Sequence, residues 1–266
     1  MLHLFTYCTN KEKVALLEKT AKLKNIPLNI LYEPQSEYKG YVSKILKIKE
    51  IISTIDEHDI IAFIDAYDVL CFASSESEII EKFKSYDCNL LIGAEMNSYP
   101  YGYDDKYPPT KYNTNYKFVN SGGYIGYQYA LKHLYHWKPE NEIIEICKDG
   151  GDQTYFIQYY LAHYNNNNVN CKLDYNQMIF QNMFLVSWYD FVIKKKRLYN
   201  YVLDQYPCFI HFNGLSYETE TKENIMDVFV DKLEQSIAAT NNNEIYDFLN
   251  YTKSTWPNPT IIPQLK

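Results

Sequence analysis

The stretch Phe63-Ile-Asp-Ala-Tyr-Asp-Val-Leu70 sets two carboxylates, Asp65 and Asp68, at the end of an almost wholly apolar run, Ile60-Ile61-Ala62-Phe63-Ile64. Carboxylates so placed can hold a metal ion, serve as nucleophile and acid, or cap a turn. In open parallel sheets ligands bind in the crevice beyond the carboxyl ends of the strands. The most apolar strand is expected at the centre, so its exit delivers Asp65 and Asp68 to that crevice. A phosphatase of the haloacid dehalogenase type also uses two aspartates after a strand, but two residues apart and on the first strand. Here two strand–helix units precede the pair and its spacing is wider. Hard carboxylate oxygens suit Mg²⁺ or Mn²⁺, and two of them leave coordination positions for phosphate oxygens and water. That favours a metal–diphosphate complex.

The elements that must position this pair alternate along the first half of the chain. Leu2–Tyr7 predicts a strand, and Thr9-x-x-Glu12 reads as a capping box opening a helix through about Lys24. Pro27–Tyr32 predicts a second strand, Val42–Ile55 a helix and Ile60–Ile64 the third strand. Ser75-x-x-Glu78 caps a helix to about Tyr86, and Cys88–Ala94 predicts a fourth strand. This order means an α/β fold with a parallel sheet covered on both faces. Asn97 to Lys117, rich in Tyr, Pro, Asn and Asp, predicts a long loop. Strand resumes at Phe118–Asn120 before Ser121-Gly122-Gly123, which reads as a close approach of backbone to a ligand or as a tight turn. Helices are expected at about Tyr127–Trp137 and Gln153–Tyr164, and short strands near Cys171–Leu173 and Cys208–Phe212. Residues 1–266 read as one domain, with 222–266 a helical tail packing on it.

Composition narrows the partners. The net charge is -7 with both signs interspersed, which argues against nucleic acid. No stretch approaches the ~20 apolar residues of a membrane span, and the first residues lack the pattern of a signal peptide, so a soluble protein is expected. The six cysteines, Cys8, Cys71, Cys88, Cys147, Cys171 and Cys208, form no CxxC pair and read as thiols in a reducing compartment. The 28 tyrosines accompany many Asn, Lys and Ile, residues that share AT-rich codons, so their number alone is weak evidence of sugar binding.

Six motifs in order carry a resemblance over roughly Leu2 to Gly214. They are the strand ending Asp65-Ala-Tyr-Asp-Val69; Ala94-Glu95 with Pro100 after it; Asn120-Ser-Gly-Gly-Tyr-Ile-Gly126; Asp152-Gln153; Leu173-Asp174 with Ile179-Phe-Gln-Asn182; and His211-Phe-Asn-Gly214. With these the chain resembles the glycosyltransferase domain of the procollagen lysyl hydroxylases, collagen-modifying enzymes of animals with relatives in large DNA viruses. No counterpart of that family's iron-dependent hydroxylase part follows in these residues.

The resemblance implies a GT-A nucleotide-sugar-binding fold, a central, mostly parallel sheet flanked by helices. It also implies a UDP-sugar donor and Mn²⁺ held by Asp65, Asp68 and His211. Only a neutral imidazole can bind a metal, so activity is expected to fall at acid pH. Thr6 and Thr9 correspond to uridine contacts, Tyr38 to an aromatic stacking on uracil, and Lys44 to a basic residue of the nucleotide pocket. Ala66, Tyr67, Ser121, Gly122, Gln153 and Gly214 complete the implied donor-binding set. Asn120 and Asp152 are the implied catalytic pair, with Asp152 facing the transferred sugar or the acceptor hydroxyl. His3, His58, His133, His136 and His163 have no such context.

The implied reaction moves glucose or galactose to hydroxylysine or galactosyl-hydroxylysine of a collagen-like protein. Alternatives are another glycan or protein acceptor, or a catalytically weak nucleotide-sugar-binding or structural protein. The departures from the family pattern are Asp149-Gly150-Gly151-Asp152 in place of a run of aspartates, Ser98-Tyr99-Pro100 for Cys-Trp-Pro, and His211-Phe-Asn-Gly for His-Gly-Asn-Gly. Asp104 and Asp105 on the long loop could stand in for a lost carboxylate, though solvated loop charges are the simpler reading.

Overall fold

The computed structural model describes residues 1–214 apart from 111, 113, 187–189 and 195–196, so the tail expected at 222–266 lies outside the described residues. β1 (Leu2–Cys8) leads through a 3-10 turn into α1 (Ala15–Leu23). The cap at this turn falls one residue later than the sequence predicts. Asn10 Oδ1 accepts from the backbone N–H of Glu12 at 2.9 Å, because Thr9 is already engaged, its N–H donating to the Tyr67 hydroxyl at 2.8 Å. β2 (Leu28–Tyr32), α2 (Val42–Ile52) and β3 (Ile60–Ile64) follow as predicted. A short β4 (Val69–Cys71), too brief for a periodic signal, precedes α3 (Glu76–Ser85). Ser75 Oγ accepts from Glu78 N as its motif requires, while the Glu78 carboxylate accepts from Ser74 and pairs with Lys82 and Arg197. β5 (Leu90–Glu95) and β6 (Phe118–Tyr127) flank the long loop. Then come α4 (Gln128–His136), α5 (Glu140–Ile146), α6 (Asp152–His163) and β7 (Cys171–Leu173). β8 (Phe180–Asn182), β9 (Phe191–Lys194), β10 (Arg197–Asn200) and β11 (Phe209–His211) close the described chain.

The main sheet runs β2-β1-β3-β6-β5-β7, with β3 interior as expected. It is mostly parallel, with one departure: β6 lies antiparallel between β3 and β5. The glycines of β6 lower its strand signal, so the sequence predicts strand only to Asn120, whereas pairing with β3 continues it to Tyr127. Opposite β5 the register jumps. Ile92 faces Tyr124 while the next residue, Gly93, faces Asn120, which leaves Ser121-Gly122-Gly123 bulged out of that ladder. A second sheet, β4-β11-β8, pairs β11 antiparallel to β4 and parallel to β8, so that His211 lies opposite both Val69 and Asn182.

Apolar side chains fill both faces of the main sheet. Phe63, Tyr124, Phe156 and Ile45 share one cluster, and Leu4, Ile64, Ile125, Phe180 and Phe209 share the other. All six cysteines are free, and five are buried. Among the described residues no helix is long and apolar enough to cross a membrane.

The Phe63 ring stacks on Tyr124 with centroids 5.1 Å apart and is 1% exposed, immediately before the Asp65 exit. Phe63→Ala should cost about 3–5 kcal/mol of stability, read as a lowered urea midpoint at unchanged slope. A loss below about 1 kcal/mol would show that this core relaxes into the gap.

Candidate active site

Asp65 leaves β3, Asp68 immediately precedes β4, and His211 ends β11. The pairing of β11 with β4 continues through Phe212, whose N–H donates to the Asp68 carbonyl at 2.8 Å. His211 Nε2 consequently lies 3.3 Å from Asp68 Oδ2 and 3.9 Å from Asp65 Oδ2. One potential ligand atom from each of the three residues lies within 4.8 Å of the others.

The histidine tautomer follows from its neighbours. His211 Nδ1 is 3.1 Å from Asn120 Oδ1 and 2.9 Å from Asn182 Oδ1. Both amides are oriented by the backbone: Asn120 Oδ1 accepts from Gly122 N–H, and Asn182 Nδ2 donates to the Ala94 carbonyl. Two oxygens therefore face Nδ1, which must carry the proton, and the neutral ring presents its lone pair from Nε2 toward the aspartates. Two carboxylate oxygens and one imidazole nitrogen are a donor set that fits a divalent Mn²⁺ or Mg²⁺ with positions to spare.

Charge is shared unequally here. Burial opposes the imidazolium, yet Asp68 and Asp65 outweigh it and hold the His211 pKa above its ordinary value. Burial likewise opposes the Asp68 carboxylate, and His211 draws its pKa below the ordinary range.

Gly122 serves this cluster sterically. A Cβ at that position would stand 2.1 Å from His211 Cε1 and 2.8 Å from Asp65 Oδ2. Its missing side chain thus admits the histidine.

Lys44, on the first turn of α2, is buried between two carboxylates, 2.9 Å from Asp65 Oδ1 and 2.5 Å from Asp152 Oδ2. Burial lowers its pKa, but Asp152 and Asp65 more than reverse this and keep it charged. Its ammonium also donates to the Ser121 carbonyl at 3.4 Å and lies over the Phe63 ring. Asp152 opens α6 and is 5% exposed, held against Lys44 rather than solvated as an ordinary helix-terminal carboxylate.

A carboxylate outside the predicted site set ties the network together. Glu95, at the end of β5, accepts from Asn120 Nδ2 at 3.2 Å, Gln153 Nε2 at 2.9 Å and Asn213 Nδ2 at 2.8 Å. Burial pushes its pKa up to about 7 against these donors. Gln153 Oε1 in turn accepts from Ser121 N–H, and Asn213 Oδ1 accepts from Met183 and Phe184 N–H. Glu95, Asn182 and Asn213 all stand in the ordered motifs, but a lone Glu or Asn in a motif does not announce what it bonds. Asp174, also in a motif, is structural: its carboxylate accepts from the N–H groups of Met178, Ile179 and Phe180 and from the Tyr86 hydroxyl.

The remaining predicted residues divide. Thr6 is fully buried with its Oγ1 unpartnered, a donor without an acceptor near the end of β1. Tyr38 is half-buried against the core, and burial together with Tyr41 and Asp152 raises its pKa. Ala66 is buried, and Tyr67 fastens the Thr9–Asn10 backbone to the Asp65–Asp68 turn. Gly214 is exposed, at φ +77° beside Phe184. Asp104 and Asp105 are exposed on a 3-10 turn. The other histidines are engaged elsewhere: His3 with Asp59, His58 with Glu57, His133 with Tyr159, His136 with the Lys132 carbonyl and His163 among aromatic rings.

This fold, with its cluster at the exit of a central strand, is that of a GT-A glycosyltransferase domain. It is similar to the galactosyltransferase LgtC solved with donor and acceptor sugar analogs, with a TM-score of 0.51 at 13% identity, covering 91% of this chain and 98% of that one. At that identity the likeness is one of fold. The family model described as the PLOD GT domain matches residues 2–236, and the chain belongs to that family. It is 34% identical over 166 residues to chicken procollagen-lysine,2-oxoglutarate 5-dioxygenase 1, covering 60% of this chain and 21% of that protein. It is 32% identical over 171 residues to the rat multifunctional procollagen lysine hydroxylase and glycosyltransferase LH3, covering 62% and 20%. Protein R699 of Acanthamoeba polyphaga mimivirus is 28% identical over 149 residues, covering 53% and 28%. The matched regions are thus 20–28% of these relatives' length.

Two measurements probe the cluster. Gly122→Ala should displace His211 and weaken Mn²⁺ binding about 10- to 100-fold by calorimetry, with circular dichroism unchanged; unaltered affinity would show that a cation is held without His211. A proton and a cation compete for Nε2, and the raised His211 pKa places that competition above the ordinary imidazole value of about 6.5. Mn²⁺ affinity should therefore decline as pH falls from about 8 to 6, and a flat profile would remove His211 from the ligand set.

Proposed function

We propose that this chain transfers glucose or galactose from a UDP-sugar to hydroxylysine or galactosyl-hydroxylysine of a collagen-like protein, with Mn²⁺ as its cation. The observation that carries the reading is the convergence of Asp65, Asp68 and the Nε2 lone pair of His211 beside the Lys44–Asp152 pair. Membership of the PLOD GT family supports it, as does the glycosyltransferase function in the name of the LH3 relative. When bound, the cation supplies positive charge against which a diphosphate leaving group can depart without proton transfer.

The chain's own residues do the rest. Thr6, buried behind the end of β1, and Thr9 with Tyr67 shape the uridine end of the crevice, and Tyr38 stacks on the base. Lys44, the basic residue of the nucleotide pocket, commits its ammonium to Asp65, Asp152 and the Ser121 carbonyl and so holds both carboxylates in place. Asn120 keeps His211 aimed, and its neighbours Ser121 and Gly122 face the sugar side with Gln153. Gly214 closes the segment that follows His211. Asp152 orients the acceptor hydroxyl, takes its proton, or steadies positive charge on the sugar ring.

UDP release from UDP-glucose and UDP-galactose, with and without Mn²⁺ and with hydroxylysine or galactosyl-hydroxylysine peptides, tests the reading. Release should require the cation, rise with one peptide, and fall on the order of 100-fold or more in Asp65→Ala with Asp68→Ala. No release from either donor would sink the enzymatic reading and leave a nucleotide-sugar-binding protein. Turnover surviving the double variant would sink the metal assignment.

A further inference from the structure

Tyr7 lies outside the metal cluster, yet its phenol fastens the segment that carries Tyr38. It is the penultimate residue of β1 and pairs with Leu31 of β2. Glu33 follows β2 immediately, and its N–H donates to the Cys8 carbonyl at 3.0 Å, which extends the β1–β2 pairing by one step. Two residues beyond Leu31, Glu33 stands on the same face of the sheet as Tyr7. The Tyr7 hydroxyl accordingly donates to Glu33 Oε2 at 2.5 Å. Burial and this bond raise the Tyr7 pKa above its ordinary value, against a hydrogen bond from Ser43, so the phenol keeps its proton for the carboxylate. Ser43, buried on the first turn of α2, also accepts from Lys39 N–H through Oγ at 2.8 Å. One phenol therefore joins the first residue of the segment 33–43 to its last.

Between those ends little else holds the chain. Among the described residues the backbone from Pro34 to Gly40 bonds only within 34–43: Glu37 N–H to the Pro34 carbonyl, Tyr38 N–H to Gln35, Lys39 N–H to Ser43 and Ser43 N–H to Gly40. The Tyr38 side chain makes no hydrogen bond among the described residues and rests against the core cluster that contains Tyr7 and Val42. Any buried tyrosine hydroxyl needs an acceptor. Here the acceptor is a carboxylate at the base of a loop, a kind of bond that is shorter, stronger and more specific in geometry than one to a neutral group. We infer that Tyr7 and Glu33 are positioning residues for the nucleoside. Their bond fixes the segment 33–43 in the form that presents the Tyr38 ring to the base, and so sets affinity for the base and not for the diphosphate. This role rests on the uridine-stacking reading of Tyr38 above and names what prepares that ring before a nucleotide arrives.

Calorimetry of UDP and of inorganic pyrophosphate, each with Mn²⁺, separates the two halves of the ligand. Tyr7→Phe keeps the ring and removes only the hydroxyl. It should weaken UDP binding roughly 10-fold and leave pyrophosphate binding unchanged. Glu33→Ala should match it, whereas Glu33→Gln, which still offers an oxygen to the phenol, should retain most of the affinity. Tyr7→Phe with Glu33→Ala should be no worse than either single change. In a Tyr38→Ala background, Tyr7→Phe should have no further effect, the signature of action through that ring. Tyr199→Phe, which removes a comparable bond to Asp204, should alter neither affinity. Undiminished UDP affinity in Tyr7→Phe, an equal loss of pyrophosphate binding, or a wild type that holds UDP no more tightly than pyrophosphate overturns the positioning role. UDP release from the UDP-sugars is measured separately. A chain that binds UDP but releases none keeps the positioning role and loses the enzymatic reading, while release with unchanged affinity in Tyr7→Phe loses only the positioning role.

Discussion

The proton on His211 Nδ1 governs the geometry of the site. Two amide oxygens, of Asn120 and Asn182, face that nitrogen, so the opposite nitrogen turns its lone pair toward Asp65 and Asp68. Without both amides the buried ring could rotate or exchange tautomers, and the two aspartates would face an N–H instead of a ligand. Each amide is held by the main chain, Asn120 by Gly122 N–H and Asn182 by the Ala94 carbonyl. Asn120 has a second tether, donating to Glu95, which also receives Gln153 and Asn213. The ends of β5, β6, β8 and β11 and the start of α6 are thus joined by one chain of side-chain amides around a single buried carboxylate. A carboxylate so placed is costly alone and acceptable only with such donors.

The irregular strand makes this arrangement possible. If β6 ran in even register along β5, Asn120 and the glycines after it would pair and point alternately to the two faces. The bulge at Ser121-Gly122-Gly123 instead releases three residues at the edge where β3 ends, and Asp65 N–H still donates to the freed Gly122 carbonyl. The lack of a side chain at 122 then lets His211 enter from the second sheet. A pairing defect and an absent Cβ together bring ligands from two sheets within reach of one point.

Much of this could be read in the chain before the structure, and the division has a physical basis. Strands β1, β2, β3 and β5 are apolar runs between helices of clear 3.6-residue period, so order and type follow from pattern alone. Asp65 and Asp68 stood out because a buried strand delivered them, and His211 because its motif came in order. The antiparallel course of β6 was hidden, since glycines weaken the strand signal and register depends on partners far along the chain. The Thr9 cap failed for a related reason: a hydroxyl from Tyr67, 58 residues away, took the donor that a local rule assigns to the helix. Glu95 was visible as a letter in a motif, but its role depends on three amides from β6, α6 and the segment after β11, a convergence that spacing does not encode.

The balance of charge around Lys44 explains why the crevice suits a divalent cation. Asp65 and Asp152 share one ammonium, which is therefore saturated before any ligand arrives. Asp68 has only the His211 ring beside it, and a ring that supplies its lone pair to a cation supplies no positive charge. With the ring neutral, the three carboxyl groups of Asp65, Asp68 and Asp152 outnumber the single Lys44 ammonium. A divalent ion offsets more of that excess of carboxylates than a monovalent one. The apparent redundancy of two carboxylates on one lysine thus has a use. Lys44 ties Asp152 to Asp65, so a shift of either carboxylate is felt by the other through a single buried side chain.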